Sequence, residues 1–219
     1  MNDIAILGST GSIGTNTLKS ISSEKNFKIR LLSTNKNIKK LYQQAKKFNV
    51  RNVIINDKEI YLKNKEFLKK KKINSFYGFK NINKIIKKKL KYSINSISGI
   101  NGLEPTLELI PHTKNILIAN KESIICGWNI ISKKLKDYKT NFIPIDSEHY
   151  SIQELIKNEP LNTIDKIILT ASGGPFLNKS FESLSNVKPI NALKHPKWKM
   201  GKKISIDSST MMNKIFEFI

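Results

Sequence analysis

The sequence contains little cysteine and no long apolar run. Its 219 residues include a single cysteine, Cys126, which excludes an internal disulfide and fits a reducing compartment such as the cytoplasm. We expect Cys126, which follows the apolar pair Ile124 and Ile125, to be a small buried residue. No stretch approaches the roughly 18 apolar residues that a membrane span needs, and the N-terminus lacks the basic and apolar regions of a signal peptide. The sequence therefore predicts a cytoplasmic protein with no membrane partner.

Arginine is also scarce, although the chain is strongly basic. The formal net charge is +22, and an excess of this size invites a nucleic-acid-binding interpretation. Of the 39 basic residues, however, only Arg30 and Arg51 carry the guanidinium fork that base and phosphate recognition favours. The lysines are spread along predicted helix faces among many Asn and Ile residues, which is typical of a solvated surface. We expect no nucleic-acid partner, and a basic nucleic-acid-binding protein stays as the alternative.

Short apolar runs alternate with segments of helical periodicity. The predicted strands are Ile4–Leu7, Phe27–Ser33, Val53–Ile55, Ile94–Ile97, Ile116–Ala119, Phe142–Ile145 and Ile167–Leu169; the predicted helices begin near Ile13, Ile38, Lys58, Ile82 (through Leu90) and Pro105. This alternation indicates an α/β fold with a mostly parallel sheet covered on both faces. Polar and charged residues cluster after the strand that ends near Pro144. We therefore place a domain boundary there, with a Rossmann-like domain at 1–145 and a second domain at 146–219.

Three glycines, Gly8, Gly11 and Gly14, lie between the first strand and the first helix. Glycines at this place permit a tight turn, let backbone N–H groups approach a diphosphate, and allow close packing of the helix on the strand. The spacing differs by one residue from the common G-x-G-x-x-G, but the position is the one that a dinucleotide-binding loop requires. After the second strand, residues 33–37 contain no acid and offer Lys36, which favours NADP over NAD. An ordinary lysine at a helix start is the alternative explanation for Lys36.

Three segments of the second half carry residues that a core would not need. Asp146 and Glu148 follow a strand, and in extended geometry their side chains would project to one side and converge on a hard cation. The small-residue loop in Leu169–Phe176 can offer hydroxyl and backbone donors to an anion. Lys194–Gly201 combines a proline, a tryptophan and a terminal glycine, as a mobile lid would.

A helix that begins near Ser208 would carry Asn213, Lys214 and Glu217 on adjacent turns, with Asn213 and Glu217 on one face. Serine, asparagine and lysine donors near an acid suit a phosphorylated, hydroxylated substrate beside a metal ion.

Five motifs in order give the chain a resemblance to a known family. They are GSTGSIG at Gly8–Gly14, LIANKES at Leu117–Ser123, PIDSEH at Pro144–His149, LTASGGPF at Leu169–Phe176 and HPKWKMGKKISIDSSTMMNK at His195–Lys214. With these motifs the chain resembles the 1-deoxy-D-xylulose 5-phosphate reductoisomerases of the non-mevalonate isoprenoid pathway. The resemblance covers essentially the whole chain.

The resemblance implies a role for each matching residue. NADPH would be bound by Thr10, Gly11, Ser12, Ile13, Asn35, Lys36, Asn37, Asn120, Glu122 and Gly201. Mg2+ or Mn2+, with Co2+ as an alternative, would be bound by Asp146, Glu148 and Glu217, which with Lys121 and His195 would form the catalytic set. The sugar phosphate would be bound by Lys121, Ser147, Ser172, His195, Ser208, Asn213 and Lys214, under a flap that carries Trp198.

The resemblance also implies the reaction, in which deoxyxylulose phosphate is rearranged to an aldehyde that NADPH reduces to 2-C-methyl-D-erythritol 4-phosphate, in a homodimer. The family continues for nearly as many residues again beyond the motifs. We therefore expect an incomplete α+β catalytic domain at 146–219. A non-catalytic remnant that retains at most NADPH binding is the alternative to an active enzyme.

Overall fold

The computed structural model describes residues 1–197 and 201–219, which form two compact units, Met1–Asp146 and Ser147–Ile219. The boundary predicted from the sequence lies one residue earlier. Trp198, the predicted flap residue, lies outside the described residues.

The first unit alternates strands and helices along the chain. Its elements are β1 (Asn2–Leu7), α1 (Ser12–Ser20), β2 (Phe27–Thr34), α2 (Ile38–Lys47), β3 (Asn52–Ile55), α3 (Lys58–Lys70), β4 (Asn74–Tyr77), α4 (Ile82–Ile85), β5 (Leu90–Asn95), α5 (Leu103–Leu109), β6 (Thr113–Ile118), α6 (Lys121–Asp137) and β7 (Asn141–Pro144). The strands form one parallel seven-stranded sheet in the order β4-β3-β2-β1-β5-β6-β7. The predicted α/β fold with a parallel sheet is confirmed.

The strand order reverses between β1 and β5. These strands are hydrogen-bonded neighbours in the sheet, although β1 ends at Leu7 and β5 begins only at Leu90. In open parallel sheets, ligands bind beyond the carboxyl ends of the strands at such a reversal. The glycine loop follows β1, so it lies at this position. The core extends over both faces of the sheet, because alternate residues of β1 enter two different clusters: Ala5 and Leu7 one of them, Ile4 and Ile6 the other.

Two predictions about this unit are wrong in their details. The helix predicted from Ile82 to Leu90 ends at Ile85, and Leu90 is the buried first residue of β5, paired in register with Thr113. Strand β4 was not predicted, because Asn74–Tyr77 has no apolar run and forms an edge of the sheet.

The prediction that Cys126 is buried is also wrong. Cys126 is exposed on α6. The buried face of that helix is formed by Ser123, Gly127, Ile131 and Leu135, which follow one another at intervals of four residues. Position 126 falls outside this stripe.

The second unit is helical over its described residues. Its helices are α7 (Ser147–Ile156), α8 (Pro189–Ala192), α9 (Lys202–Ser209) and α10 (Met212–Phe218). The strand predicted at Ile167–Leu169 is absent; these residues have no regular structure, and Ile168 is 72% exposed. A strand needs a neighbour for its hydrogen bonds, and the described part of this unit contains none.

Two further predictions about this unit require correction. The helix predicted from Ser208 is interrupted, because Met211 adopts a left-handed conformation with φ 60° between α9 and α10. Glu148 lies in the first turn of α7, so the extended geometry assumed for it is wrong. Over 1–197 and 201–219, none of the helices combines the length and the apolar character that a membrane crossing requires.

Candidate functional site

The glycine loop of the first unit is a tight turn that only small residues can form. Gly8 has φ +72°, a conformation that glycine adopts without strain, and its carbonyl accepts a hydrogen bond from Gly11 N at 3.0 Å. A Cβ atom on Gly14 would lie 2.6 Å from the Gly8 carbonyl oxygen and 2.6 Å from Ser9 Cα. Helix α1 therefore packs directly on the loop backbone, as predicted for a dinucleotide-binding turn.

Helix α1 begins differently from other long helices of this unit. Side-chain oxygens of Asn37, Asp57 and Asn120 cap α2, α3 and α6, each accepting from a first-turn N–H group. The N-cap of α1 is Gly11, which provides no side-chain cap. The first-turn N–H groups of α1 are thus left to bind an anion such as a diphosphate.

Side chains from α2 hold the loop in place. Ser9 Oγ donates to Gln44 Oε1 at 2.8 Å, and Gln44 Nε2 donates back to the Ser9 carbonyl at 2.8 Å. Lys40 Nζ donates to the Thr10 carbonyl at 2.9 Å, while the Thr10 hydroxyl lies 2.7 Å from that of Thr34. Lys40 and Gln44 are not among the residues predicted from the sequence. Their spacing of four residues on one helix face was the available signal.

The segment after β2 carries the predicted cofactor contacts Asn35, Lys36 and Asn37, and an acid that follows β3 lies beside one of them. Lys36 Nζ lies 3.4 Å from Asp57 Oδ2, and the Lys36 side chain is 69% exposed. A hydrogen bond from Ile60 N–H, reinforced by Lys36, lowers the pKa of Asp57 below its ordinary value. Residues 33–37 contain no acid, but Asp57, which follows β3, supplies one to Lys36. Because the Lys36 side chain is solvent-exposed, this ion pair is weak and a phosphate could replace Asp57 as the partner of the ammonium group.

The loop between β6 and α6 presents three predicted residues. Asn120 Oδ1 accepts from Ser123 N at 2.9 Å, whereas its buried Nδ2 has no hydrogen-bond partner among the described residues. Lys121 Nζ lies 3.9 Å from Asp146 Oδ1, with side chains that are only 19% and 11% exposed. Glu122 lies in the first turn of α6. A buried amide donor without a partner is costly, which marks the Asn120 position as one where a polar ligand would bind.

These predicted residues share one edge of the sheet. The residues Thr10, Gly11, Ser12, Ile13, Asn35, Lys36, Asn37, Asn120, Lys121, Glu122 and Asp146 all follow the carboxyl ends of strands β1, β2, β6 and β7. Because the sheet is parallel, these ends lie at the same edge. The first unit therefore brings these residues to one edge of its sheet, and their roles in binding stay a prediction.

Two carboxylates of the second unit converge on one ammonium group. Lys214 Nζ lies 2.5 Å from Glu148 Oε1 and 2.8 Å from Glu217 Oε2. The Glu217 side chain is 1% exposed and that of Lys214 13%. Burial raises the pKa of Glu148, but hydrogen bonds from Lys214 and Ser147 outweigh it and lower that pKa to about 2. Burial likewise lowers the pKa of Lys214, and its bonds to the two carboxylates reverse this and raise it.

Two neighbouring side chains hold this cluster. Ser147 Oγ donates to Glu148 Oε2 at 2.8 Å. His149 Nε2 lies 3.1 Å from the carbonyl oxygen of Glu217, so α7 and α10 are joined at the level of the carboxylates.

Ser172 and His195 form a second polar pair. Ser172 Oγ lies 3.0 Å from His195 Nε2, and Lys197 N donates to His195 Nδ1 at 3.2 Å. Since Nδ1 accepts, the neutral ring carries its proton on Nε2 and donates it to the serine oxygen. In this tautomer the serine oxygen accepts from the histidine. Its own hydroxyl proton is directed elsewhere, as suits an anion-binding group.

The remaining predicted residues of this unit lie on or beside α9 and α10. Ser208 is buried, and a Cβ on Gly174 would lie 2.6 Å from its carbonyl oxygen, so the small-residue loop packs against the end of α9. Asn213 has a buried Oδ1 without a hydrogen-bond partner among the described residues. Gly201 is the exposed N-cap residue of α9. Polar groups of this kind suit a hydroxylated ligand.

Two family models match the chain. The model of 1-deoxy-D-xylulose 5-phosphate reductoisomerase matches residues 4–127, and that of the 1-deoxy-D-xylulose 5-phosphate reductoisomerase C-terminal domain matches residues 142–219. Together they span both units.

Curated relatives and solved structures agree with these matches. The chain is 56% identical to the 1-deoxy-D-xylulose 5-phosphate reductoisomerase of Pelagibacter ubique and 46% identical to that of Clostridium tetani, covering 100% of this chain and 57% and 58% of theirs. The reductoisomerase of Zymomonas mobilis in complex with NADPH superposes with a TM-score of 0.83 at 33% identity, over 99% of this chain and 56% of that one. A crystal structure of DOX-P reductoisomerase with NADPH, fosmidomycin and magnesium gives a TM-score of 0.84 at 34% identity, with the same coverage. The chain thus spans somewhat more than half the length of the relatives it matches.

Proposed function

The chain belongs to the 1-deoxy-D-xylulose 5-phosphate reductoisomerase family, and we propose that it acts in the reaction of that family. The reaction is the NADPH- and divalent-metal-dependent rearrangement and reduction of 1-deoxy-D-xylulose 5-phosphate to 2-C-methyl-D-erythritol 4-phosphate. The observation that carries the proposal is the convergence of half-buried Glu148 and buried Glu217 on the Lys214 ammonium group, in a chain that also has a tight glycine loop after β1. We further propose that the enzyme is a cytoplasmic homodimer.

The proposed cofactor, NADPH, fits the first unit. The glycine loop leaves the first-turn N–H groups of α1 for the diphosphate, and Lys36 is exposed for the adenosine 2′-phosphate. Asn120, with its unpartnered buried amide nitrogen, and Glu122 would complete the cofactor site. Gly201 is proposed from the family motif alone.

The proposed metal, Mg2+ or Mn2+ with Co2+ as an alternative, fits the donors of the second unit. Both side chains offer carboxylate oxygens, which suit hard cations and not a Cys/His zinc site. Asp146 stands two residues before Glu148 in the chain and would be the third ligand. When bound, the ion would polarise the ketone and hydroxyl oxygens of the substrate.

The proposed sugar-phosphate contacts are donors. Ser172 and His195 present a hydroxyl and an imidazole to an anion, and Lys214 presents an ammonium group. The buried Asn213 Oδ1 would accept from a substrate hydroxyl. The other proposed contacts are Lys121, Ser147, Ser208 and Trp198.

Turnover is tested by NADPH oxidation on addition of deoxyxylulose phosphate, with Mg2+ or Mn2+ and with a chelator. We expect Glu148→Gln to lower metal-dependent turnover at least about a hundredfold, the effect of losing one preorganised charge. The matched control is Glu154→Gln, on the same helix, where Glu154 pairs with exposed Lys157 at 3.7 Å; we expect this variant to keep its activity. A chain that binds NADPH but shows no turnover with either metal supports the remnant alternative instead. Steeply salt-dependent DNA binding without NADPH binding would support the nucleic-acid alternative.

A further inference from the structure

The ammonium group of Lys214 occupies the place where the two carboxylates of the second unit converge. One oxygen of Glu148 and one of Glu217 point at the same nitrogen, at 2.5 and 2.8 Å. The two acids come from different helices, α7 and α10, so the lysine is what joins them. This arrangement is a cation site whose cation is supplied by the chain itself.

Burial of the carboxylates explains why the chain places a lysine ammonium group between them. The Glu217 side chain is 1% exposed, and a carboxylate that is removed from water without a counter-charge is strongly destabilising. Lys214, itself 13% exposed, neutralises one of the two negative charges. The cluster retains a net negative charge, so it still attracts a divalent ion.

We propose that Lys214 is an internal counter-ion that holds Glu148 and Glu217 together until a divalent cation replaces its ammonium group between them. The inference rests on the proposed function, because it assumes that these carboxylates are metal ligands. It adds that metal and ammonium compete for the same oxygens.

The competition follows from distances and charge. Carboxylate oxygens bind Mg2+ at about 2.0–2.1 Å, so an ion that contacts both of these oxygens would lie close to the present position of the lysine nitrogen. Two cations at that separation repel each other, and the ammonium must move. Once displaced, it becomes available to an anionic group of the substrate, so metal would bind before the sugar phosphate.

The affinity of the substrate-free chain for Mn2+ tests this competition. It is measured from the decrease in the electron paramagnetic resonance signal of free Mn2+ as the ion binds. We expect Lys214→Met to bind Mn2+ about five- to tenfold more tightly than the wild type, at the lower end of typical coupling between sites. Lys214→Arg, which keeps the charge and can contact both acids, should bind no more tightly than the wild type. The matched control, Lys157→Met, removes the same charge from an exposed lysine of the same unit and should change affinity by less than about twofold.

Chemical labelling gives a second measurement that needs no variant. Trace acetylation followed by peptide mass mapping reports how accessible the Lys214 amine is. We expect its labelling to rise when Mn2+ is added, relative to Lys157, because the displaced amine loses both acidic partners. Labelling that stays constant or falls contradicts the proposal, and this result remains decisive if Lys214→Met fails to fold.

The controls separate this inference from the proposed function. If Glu148→Gln binds Mn2+ as the wild type does, the proposed metal site is wrong and the inference falls with it. If Glu148→Gln loses Mn2+ binding but Lys214→Met binds equally or more weakly than the wild type, the metal site stands. In that case the lysine is a permanent bridge, and the inference alone is overturned.

Discussion

The two units of the molecule bury different kinds of side chain. Among the residues that the structure describes, every buried apolar side chain belongs to Met1–Asp146, where the clusters extend over both faces of the sheet. In the described part of Ser147–Ile219, the buried residues are Gly174, Ser205, Ser208 and Glu217, none of which is a large apolar residue. The first unit is thus stabilised by apolar burial, and the second by polar contacts at the candidate site.

The apolar residues of the second unit lie mostly at its surface. Leu155 is 75% exposed, Leu161 76% and Phe181 86%. Large apolar surface of this extent contributes little to the stability of the unit that carries it. We therefore expect the same substitution to have unequal consequences in the two units.

The largest expected effect is on the core of the first unit. Leu31→Ala removes a fully buried side chain of β2 and should lower the free energy of unfolding by about 2–5 kcal/mol. Leu155→Ala, the matched change in the second unit, should alter it by less than about 0.5 kcal/mol. Urea denaturation followed by circular dichroism measures both. Equal losses for the two variants would show that Leu155 is part of a stabilising core.

A smaller effect is expected for matched changes of glycine. Gly14→Ser introduces a Cβ atom 2.6 Å from backbone atoms of the glycine loop and should cost about 1–3 kcal/mol of stability. Gly201→Ser meets no atom within 4 Å, and serine is a favoured N-cap residue, so stability should be unchanged or slightly higher. Urea denaturation followed by circular dichroism measures the free energy of unfolding of both variants. A neutral Gly14→Ser would mean that α1 does not pack tightly on the loop.

The smallest expected effect is the pH dependence contributed by His112. Burial lowers the pKa of His112, and Lys134 is among the nearby charges that lower it further, whereas Glu108 opposes the shift. The unfolded chain then binds more protons than the folded one just below about pH 6.5, so stability decreases as the pH falls through this range. The free energy of unfolding of His112→Gln, measured by urea denaturation, should decrease less between about pH 7.5 and pH 5 than that of the wild type. A variant with the same or a steeper loss would contradict the assignment.

Local patterns predicted most of the fold. The apolar runs of β1, β2 and β3, and the helical periodicity of α2, were readable because each of these elements buries a face that its own sequence marks. Strand β4 was not predicted, because an edge strand needs little apolar sequence. The strand predicted at Ile167–Leu169 is absent for the opposite reason, because an apolar run forms a strand only where a neighbouring strand pairs with it.

The candidate site was predictable in its residue types but not in its contacts. The glycine spacing indicated the loop, but Lys40 and Gln44, which hold it, lie more than 25 residues away along the chain. The left-handed Met211 ends one helix and starts the next, and no propensity marks a methionine for that conformation. The ion pair between Glu148 and Lys214 of α10 connects positions 66 residues apart, and sequence periodicity carries no information on such a contact.

We propose that the glycine loop of the first unit binds NADPH independently of Glu148 and Glu217, the metal ligands proposed in the second unit. The most direct test is the dissociation constant for NADPH, measured by isothermal titration calorimetry for the wild type and for Glu148→Gln, beside Mn2+ binding to the same samples. We expect Glu148→Gln to lose Mn2+ binding while its NADPH affinity stays within about twofold of the wild type, as for independent sites. An equal loss of NADPH and Mn2+ binding in that variant would contradict it.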